Sequence, residues 1–176
     1  MPIVVAAIAV LTALVLLNLL LTFGVLRRLR EHAAQLAASG LPQTLPVGAT
    51  VPEFTATTER GEPVSTATLR GHGGLVVFMA PDCTACTEQL PQVREKIAAA
   101  NGAVLLVITH LRTPDDASAR ALAESLGATD VVREPIDGPL QSAFQVAGFP
   151  SFYLVDPAGT VAAVTSSVER LPQLVG

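Results

Sequence analysis

The chain has 176 residues, half of them apolar, with no tryptophan and a formal charge of −4. Its mean hydropathy of +0.50 is high for a soluble domain, and its composition excludes intrinsic disorder and collagen-like sequence. Two cysteines cannot build a disulfide-rich secreted scaffold, and the acidic balance argues against a nucleic-acid partner.

The apolar excess is concentrated at the start. Residues 3–26 carry no charged side chain. That run exceeds the ~20 residues a helix needs to cross a bilayer, and it predicts one transmembrane helix within 1–26. A cleaved signal peptide would show a basic start, a shorter apolar core and a small-residue cleavage site. Here no Lys or Arg precedes the run, and it ends in Arg27, Arg28 and Arg30. All 26 charged residues lie after it, which excludes a multipass protein. By the positive-inside bias, the three arginines favour a cytoplasmic location for the rest of the chain. Residues 29–38 continue as an amphipathic helix, broken by Ser39-Gly40-Leu41-Pro42. Residues 27–46 therefore read as a juxtamembrane helix and linker. Residues 47–176 are left for one domain, with 8 basic and 14 acidic side chains.

Within that domain, residues 53–58 alternate as a strand, 59–62 form a turn, and a second short strand or extended segment starts at Val64. Residues 75–79 are continuously apolar, as in a strand buried on both faces. A helix comes next over 83–100, then a second buried strand over 104–109. Thr113-Pro114-Asp115-Asp116 supplies an N-cap, a first-turn proline and two acids, predicting a helix to Leu126. Val131-Val132 is a short strand and 140–145 a short helix. Strands over 152–155 and 161–165 flank the turn Asp156-Pro157-Ala158-Gly159. Residues 169–175 read as a final short helix. Alternating strands and helices with a closing hairpin predict an α/β fold around a mixed sheet.

The chemistry concentrates in Cys83-Thr84-Ala85-Cys86, which comes just after a buried strand and opens a helix. Unpaired N–H groups and partial positive charge at a helix N-terminus favour a thiolate. Cys83 is the candidate nucleophile, attacking a partner disulfide, and Cys86, one turn deeper, the resolving thiol. Two other readings compete. A zinc site needs two more ligands, and the domain offers only His72 and His110, in no ligand-type array. A purely structural disulfide closing so short a loop adds little stability.

These residues resemble the thioredoxin superfamily, specifically the membrane-anchored TlpA/ResA-like thiol–disulfide oxidoreductases, and look most like the MauD-type proteins of methylamine-utilisation clusters. Residues 77–86 resemble the family's strand and active site. Pro91 matches the proline of the active-site helix. Gly148-Phe149-Pro150-Ser151 matches the cis-proline loop. Residues 51–71 resemble an added N-terminal β-hairpin. The resemblance implies a thioredoxin-like fold and a redox-active Cys83–Cys86 disulfide. It also implies a client-contacting surface of Phe149, Pro150, Pro81 and Asp82, with no cofactor and no metal. Its expected partners are a disulfide-bearing protein client, a membrane electron-transfer protein that recharges the pair, and the lipid bilayer.

Two departures stand out. Asp82 replaces the tryptophan that many relatives carry before the first cysteine, and an acid there disfavours a thiolate. Val77 occupies the position of a buried aspartate that assists proton transfer in many thioredoxins. Glu88 lies one turn into the helix, where solvation is its expected state.

A peroxiredoxin-like peroxidase is a competing activity. Its Pro-x3-Thr-x2-Cys signature requires Pro and Thr where this chain has Val76 and Ala80. A metal-delivery protein would need a histidine beyond His110, and a non-catalytic assembly factor would keep the cysteines without turnover. The resemblance implies a bacterial single-pass membrane protein with an extracytoplasmic domain, against the orientation the arginines favour.

Overall fold

The computed structural model describes residues 44–100, 102–110 and 116–172, and helical residues within 11–24. The chain divides into two units, Met1–Leu41 and Pro42–Gly176. In the first, Leu11, Leu14, Val15, Leu16, Leu19 and Phe23 are exposed, and Thr22 Oγ1 donates to the Asn18 carbonyl at 2.8 Å. Among the described residues no helix is long and apolar enough to cross a membrane. Most of the predicted span, and the juxtamembrane helix over 29–38, lie outside the described residues.

The second unit is an α/β domain. Strands β1 (Thr55–Thr57) and β2 (Pro63–Ser65) form an antiparallel hairpin. Five strands form the main sheet: β3 (Gly74–Met79), β4 (Ala103–His110), β5 (Asp130–Pro135), β6 (Ser151–Val155) and β7 (Val161–Thr165). Their order is β5-β4-β3-β6-β7. The pairs β3–β4 and β4–β5 are parallel, while β6 and β7 run antiparallel to their neighbours. The helices are α1 (Thr66–Leu69), α2 (Thr84–Ala98), α3 (Asp116–Leu126) and α4 (Pro139–Phe144), with a 3-10 turn at Val168–Arg170.

Every residue of β3 is buried, because both sheet faces are covered. Successive side chains enter opposite layers. Val76 and Phe78 join Leu105, Val107, Leu140, Phe144 and Tyr153 on one side. Val77 and Met79 join Leu106, Ile108, Cys86, Val93, Leu126 and Val168 on the other. Phe144 is the hub of the first layer. Its ring lies 6.0 Å from Phe54, 5.4 Å from Phe78 and 4.9 Å from Tyr153. Tyr153 Oη donates to the Phe144 carbonyl at 2.8 Å, and burial pushes its phenol above the ordinary 10.0, keeping it neutral.

The hairpin turn is fastened to β5. The Glu59 N–H donates to the Val131 carbonyl, Arg133 pairs with Glu59, and Arg60 pairs with Asp130.

Several expected bounds need correction. The first strand is shorter than 53–58, because Phe54 N–H bonds the Thr66 hydroxyl instead of a ladder partner. The short strand expected from Val64 is β2, but it ends at Ser65: the chain closes there into α1, where Ser65 and Thr68 form a capping box. The described part of the helix expected over 169–175 is not α-helical: Val168–Arg170 is a 3-10 turn, and Leu171 is already extended at φ −68°, ψ 128°. Pro172 disfavours helical backbone at the residue before it. Residues 173–176, and the predicted cap at Thr113, lie outside the described residues. β5 also extends beyond Val131-Val132, because Asp130 to Pro135 pair in register with Leu105 to His110.

Candidate active site

The site forms at the end of the sheet where β3 finishes and β6 begins. After Met79 the chain turns through Ala80, Pro81 and Asp82 into α2. Ala80 is buried, Pro81 half-buried and Asp82 exposed. Cys83 is the N-cap of α2, with extended backbone at φ −112°, ψ 105°. Its sulfur takes the role usually filled by a Ser or Asp oxygen: the Cys86 N–H donates to Cys83 Sγ at 3.1 Å. The carbonyl of Cys83 accepts from the N–H of Cys86 and of Thr87.

Cys83 and Cys86 are joined as a disulfide, with Cα atoms 5.1 Å apart. The two sulfurs have unequal surroundings. Cys83 is half-buried, whereas Cys86 is 1% exposed within the apolar layer beneath α2. An incoming group therefore meets Cys83 first. When the bond is reduced, the helix dipole and the Cys86 N–H act on Cys83 and favour its thiolate. Burial acts on Cys86 and favours its neutral thiol.

The loop before β6 faces this pair. The Phe149–Pro150 peptide is cis. Cys83 Sγ lies 3.6 Å from the Phe149 carbonyl oxygen. Ser151 Oγ donates to the Gly148 carbonyl at 2.7 Å and fixes the loop. The Phe149 side chain is half-buried and packs against both apolar layers, so its core role and its place beside Cys83 coexist. Pro150 is buried.

Pro91 lies inside α2 and has no N–H to return to the Thr87 carbonyl. Val77 is fully buried in β3 and offers no base, and Glu88 is exposed. His72 is exposed and His110 half-buried; among the described residues no group of three or more potential ligands forms a metal site.

One buried polar group carries no motif in the sequence. Glu134, at the end of β5, is buried, and its carboxylate accepts the N–H of Leu140 and of Gln141. Gln141 in turn donates to Thr109 Oγ1 and accepts from the Asp137 N–H. Desolvation pushes the Glu134 carboxyl above its ordinary 4.5, and the two backbone donors oppose that shift. The partners of Glu134 lie six and seven residues along, a spacing that marks no standard cap. Here it caps α4 from outside the helix.

Comparison with known proteins places this fold among known ones. Residues 47–164 match the AhpC/TSA family. No curated protein matches the chain. Among solved structures it is similar to a putative protein disulfide isomerase from Bacteroides thetaiotaomicron, at 26% identity and a TM-score of 0.54. That match covers 69% of this chain and 79% of the other. It is also similar to a secreted Mycobacterium tuberculosis disulfide oxidoreductase homologous to Escherichia coli DsbE. There the identity is 26% and the TM-score 0.51, over 65% of this chain and 83% of the other. StoA from Bacillus subtilis shares the fold at 20% identity and a TM-score of 0.52, over 69% of this chain and 95% of its own. The chain belongs to the AhpC/TSA family, and its second unit is a thioredoxin-like domain.

Proposed function

We propose that this protein is a membrane-tethered thiol–disulfide oxidoreductase that reduces disulfides in protein clients through Cys83 and Cys86. One observation carries the reading: a half-buried sulfur at a helix N-cap, bonded to a buried sulfur and 3.6 Å from the backbone of a cis-proline loop. The similar proteins named as disulfide oxidoreductases and isomerases support it.

The chemistry rests on the asymmetry of the pair. In the dithiol form, the Cys83 thiolate attacks one sulfur of a client disulfide. A mixed disulfide forms, and the other client sulfur leaves as a thiolate. The Cys86 thiol loses its proton, and its thiolate attacks Cys83 Sγ in the mixed disulfide. The Cys83–Cys86 bond forms and the second client thiolate leaves. Two electrons pass to the client, and its two thiolates take up protons. A membrane dithiol electron carrier then returns two electrons to the pair. The Phe149 carbonyl and Pro150 position the client backbone beside Cys83, and Pro81 and Asp82 flank it.

The uncharged run over 3–26 and the exposed apolar side chains from Leu11 to Phe23 support an anchor in a bacterial membrane. We place the domain on the extracytoplasmic side, where exported clients carry disulfides. In character the chain resembles TlpA/ResA-like and MauD-type proteins. A C-terminal reporter active only in the cytoplasm would overturn this orientation.

Family membership leaves open a peroxide substrate. The positions that would carry its orienting proline and threonine hold Val76 and Ala80, both buried and without a hydroxyl. Stopped-flow assays with hydrogen peroxide and with an oxidised peptide decide between the two. The dithiol protein should reduce the peptide disulfide and leave peroxide at the uncatalysed rate. Rapid peroxide turnover with no exchange would sink the proposal.

A further inference from the structure

We infer that Gln89 is a positioning residue of the exchange site: its carboxamide clamps segment 166–171 against the active-site helix and thereby keeps Cys86 shielded. This rests on the reading of Cys86 as the resolving thiol.

Gln89 lies one helical turn after Cys86, on the same side of α2. Its side chain makes a two-point contact with a distant part of the chain. Oε1 accepts the N–H of Val168 at 2.8 Å, and Nε2 donates to the carbonyl of Ser166 at 3.0 Å. Nε2 also lies 3.4 Å from the Ala85 carbonyl, between the two cysteines in sequence. The Val168 N–H opens the 3-10 turn, and Ser167, at the N-cap, supplies no side-chain bond. Gln89 therefore serves as the cap from another element.

The clamp continues along one stripe of α2. Gln92 Nε2 donates to Glu169 Oε1 at 3.0 Å, and Lys96 Nζ donates to the Leu171 carbonyl at 3.1 Å. Under these bonds, Val168 and Leu171 enter the same apolar layer as Cys86 and Val93, at 3% and 5% exposure. Segment 166–171 thus closes part of the layer that buries the resolving sulfur. Only a carboxamide at position 89 can both accept from Val168 and donate to Ser166 at neutral pH. A carboxylate would have to face the Ser166 carbonyl with no proton to share.

Shielding decides how Cys86 behaves once reduced. A buried thiol meets Cys83 within the molecule and resists outside electrophiles. The test therefore reads the chemical reactivity of Cys86, independently of any client. In a Cys83→Ser background Cys86 is the sole thiol, and iodoacetamide alkylation is monitored by mass spectrometry from pH 4.5 to 8. Each rate is divided by that of the parent at the same pH. Gln89→Met should raise the ratio by about tenfold, as expected when one or two net hydrogen bonds holding a local opening shut are lost. Gln89→Glu should come closest to the parent at the low end of the range, where the protonated fraction of its carboxyl, which both accepts and donates, is largest. Its ratio should climb towards that of Gln89→Met as the carboxyl ionises. Gln92→Met, which removes only a bond between exposed side chains, should stay within twofold.

The inference is overturned if Gln89→Met stays within twofold of the parent, or if Gln89→Glu shows no change of ratio with pH. It is equally overturned if Gln92→Met matches Gln89→Met, because the effect would then be general loosening. The low-pH arm of Gln89→Glu guards against misfolding, since the same polypeptide reports both states. A failure of exchange activity would appear in the client assay and leave this measurement unaffected.

Discussion

A sulfur that caps a helix is both an element of structure and a reagent. Cys83 accepts the Cys86 N–H at 3.1 Å, so the group that begins α2 is also the group exposed to a partner. Much of this is legible in the sequence: an apolar strand, Cys-x-x-Cys and a helix fix the site by local order alone. The approach of Phe149 is legible only by resemblance, because 66 residues separate it from Cys83. Glu134 is not legible at all. Its burial depends on β5 pairing with β4 and on α4 folding back, and neither leaves a local mark. Glu134 nevertheless carries a testable pH dependence. Its folded carboxyl titrates above 4.5, so between the unfolded and folded values the native state holds more protons. Its stabilising contribution is complete below the unfolded value and is lost as pH rises through the folded one. Urea unfolding of wild type and Glu134→Gln across that window should show wild type losing stability relative to the variant. A difference constant with pH would contradict the assignment.

At the scale of elements, close backbone approaches set which residues the strands tolerate. Gly74 starts β3 where a Cβ would stand 2.7 Å from the Ala103 carbonyl oxygen and 3.0 Å from a Leu69 methyl. The carbonyl belongs to the paired strand β4 and cannot move without breaking the ladder. Gly74→Ala should therefore cost about 1–3 kcal/mol in denaturant unfolding, the usual range for forced overpacking. An unchanged midpoint would show that the strands separate freely there. Strands β3, β4 and β6 are readable because apolar runs of strand length stand between turn residues, whereas β5 shows only Val131-Val132 and gains the rest by pairing with β4. The hairpin and α1 are less so. From Thr66 to Leu69, side-chain caps outweigh the extended pattern, and only the structure shows that Thr66 also bonds Pro52 and Phe54.

For the whole molecule, Phe144 is the residue on which separate parts converge. It touches the hairpin through Phe54, the central strand through Phe78 and β6 through Tyr153. Phe144→Ala should cost about 3–5 kcal/mol, because a buried ring leaves a cavity that three elements cannot fill together. Thermal unfolding that moves only slightly would show that the hairpin is not part of the cooperative core. The disulfide, by contrast, joins residues three positions apart and contributes little to the fold, which leaves it available for exchange. In the proposed exchange, Cys83 forms a covalent intermediate with a protein client and Cys86 resolves it. The direct measurement is trapping in cells: the full chain carrying Cys86→Ser, quenched in acid, alkylated and separated without reductant. Reductant-sensitive adducts that contain Cys83 and client proteins, and that vanish in Cys83→Ser, are the expected result. No adduct with Cys86→Ser, or the same adducts with Cys83→Ser, would contradict it.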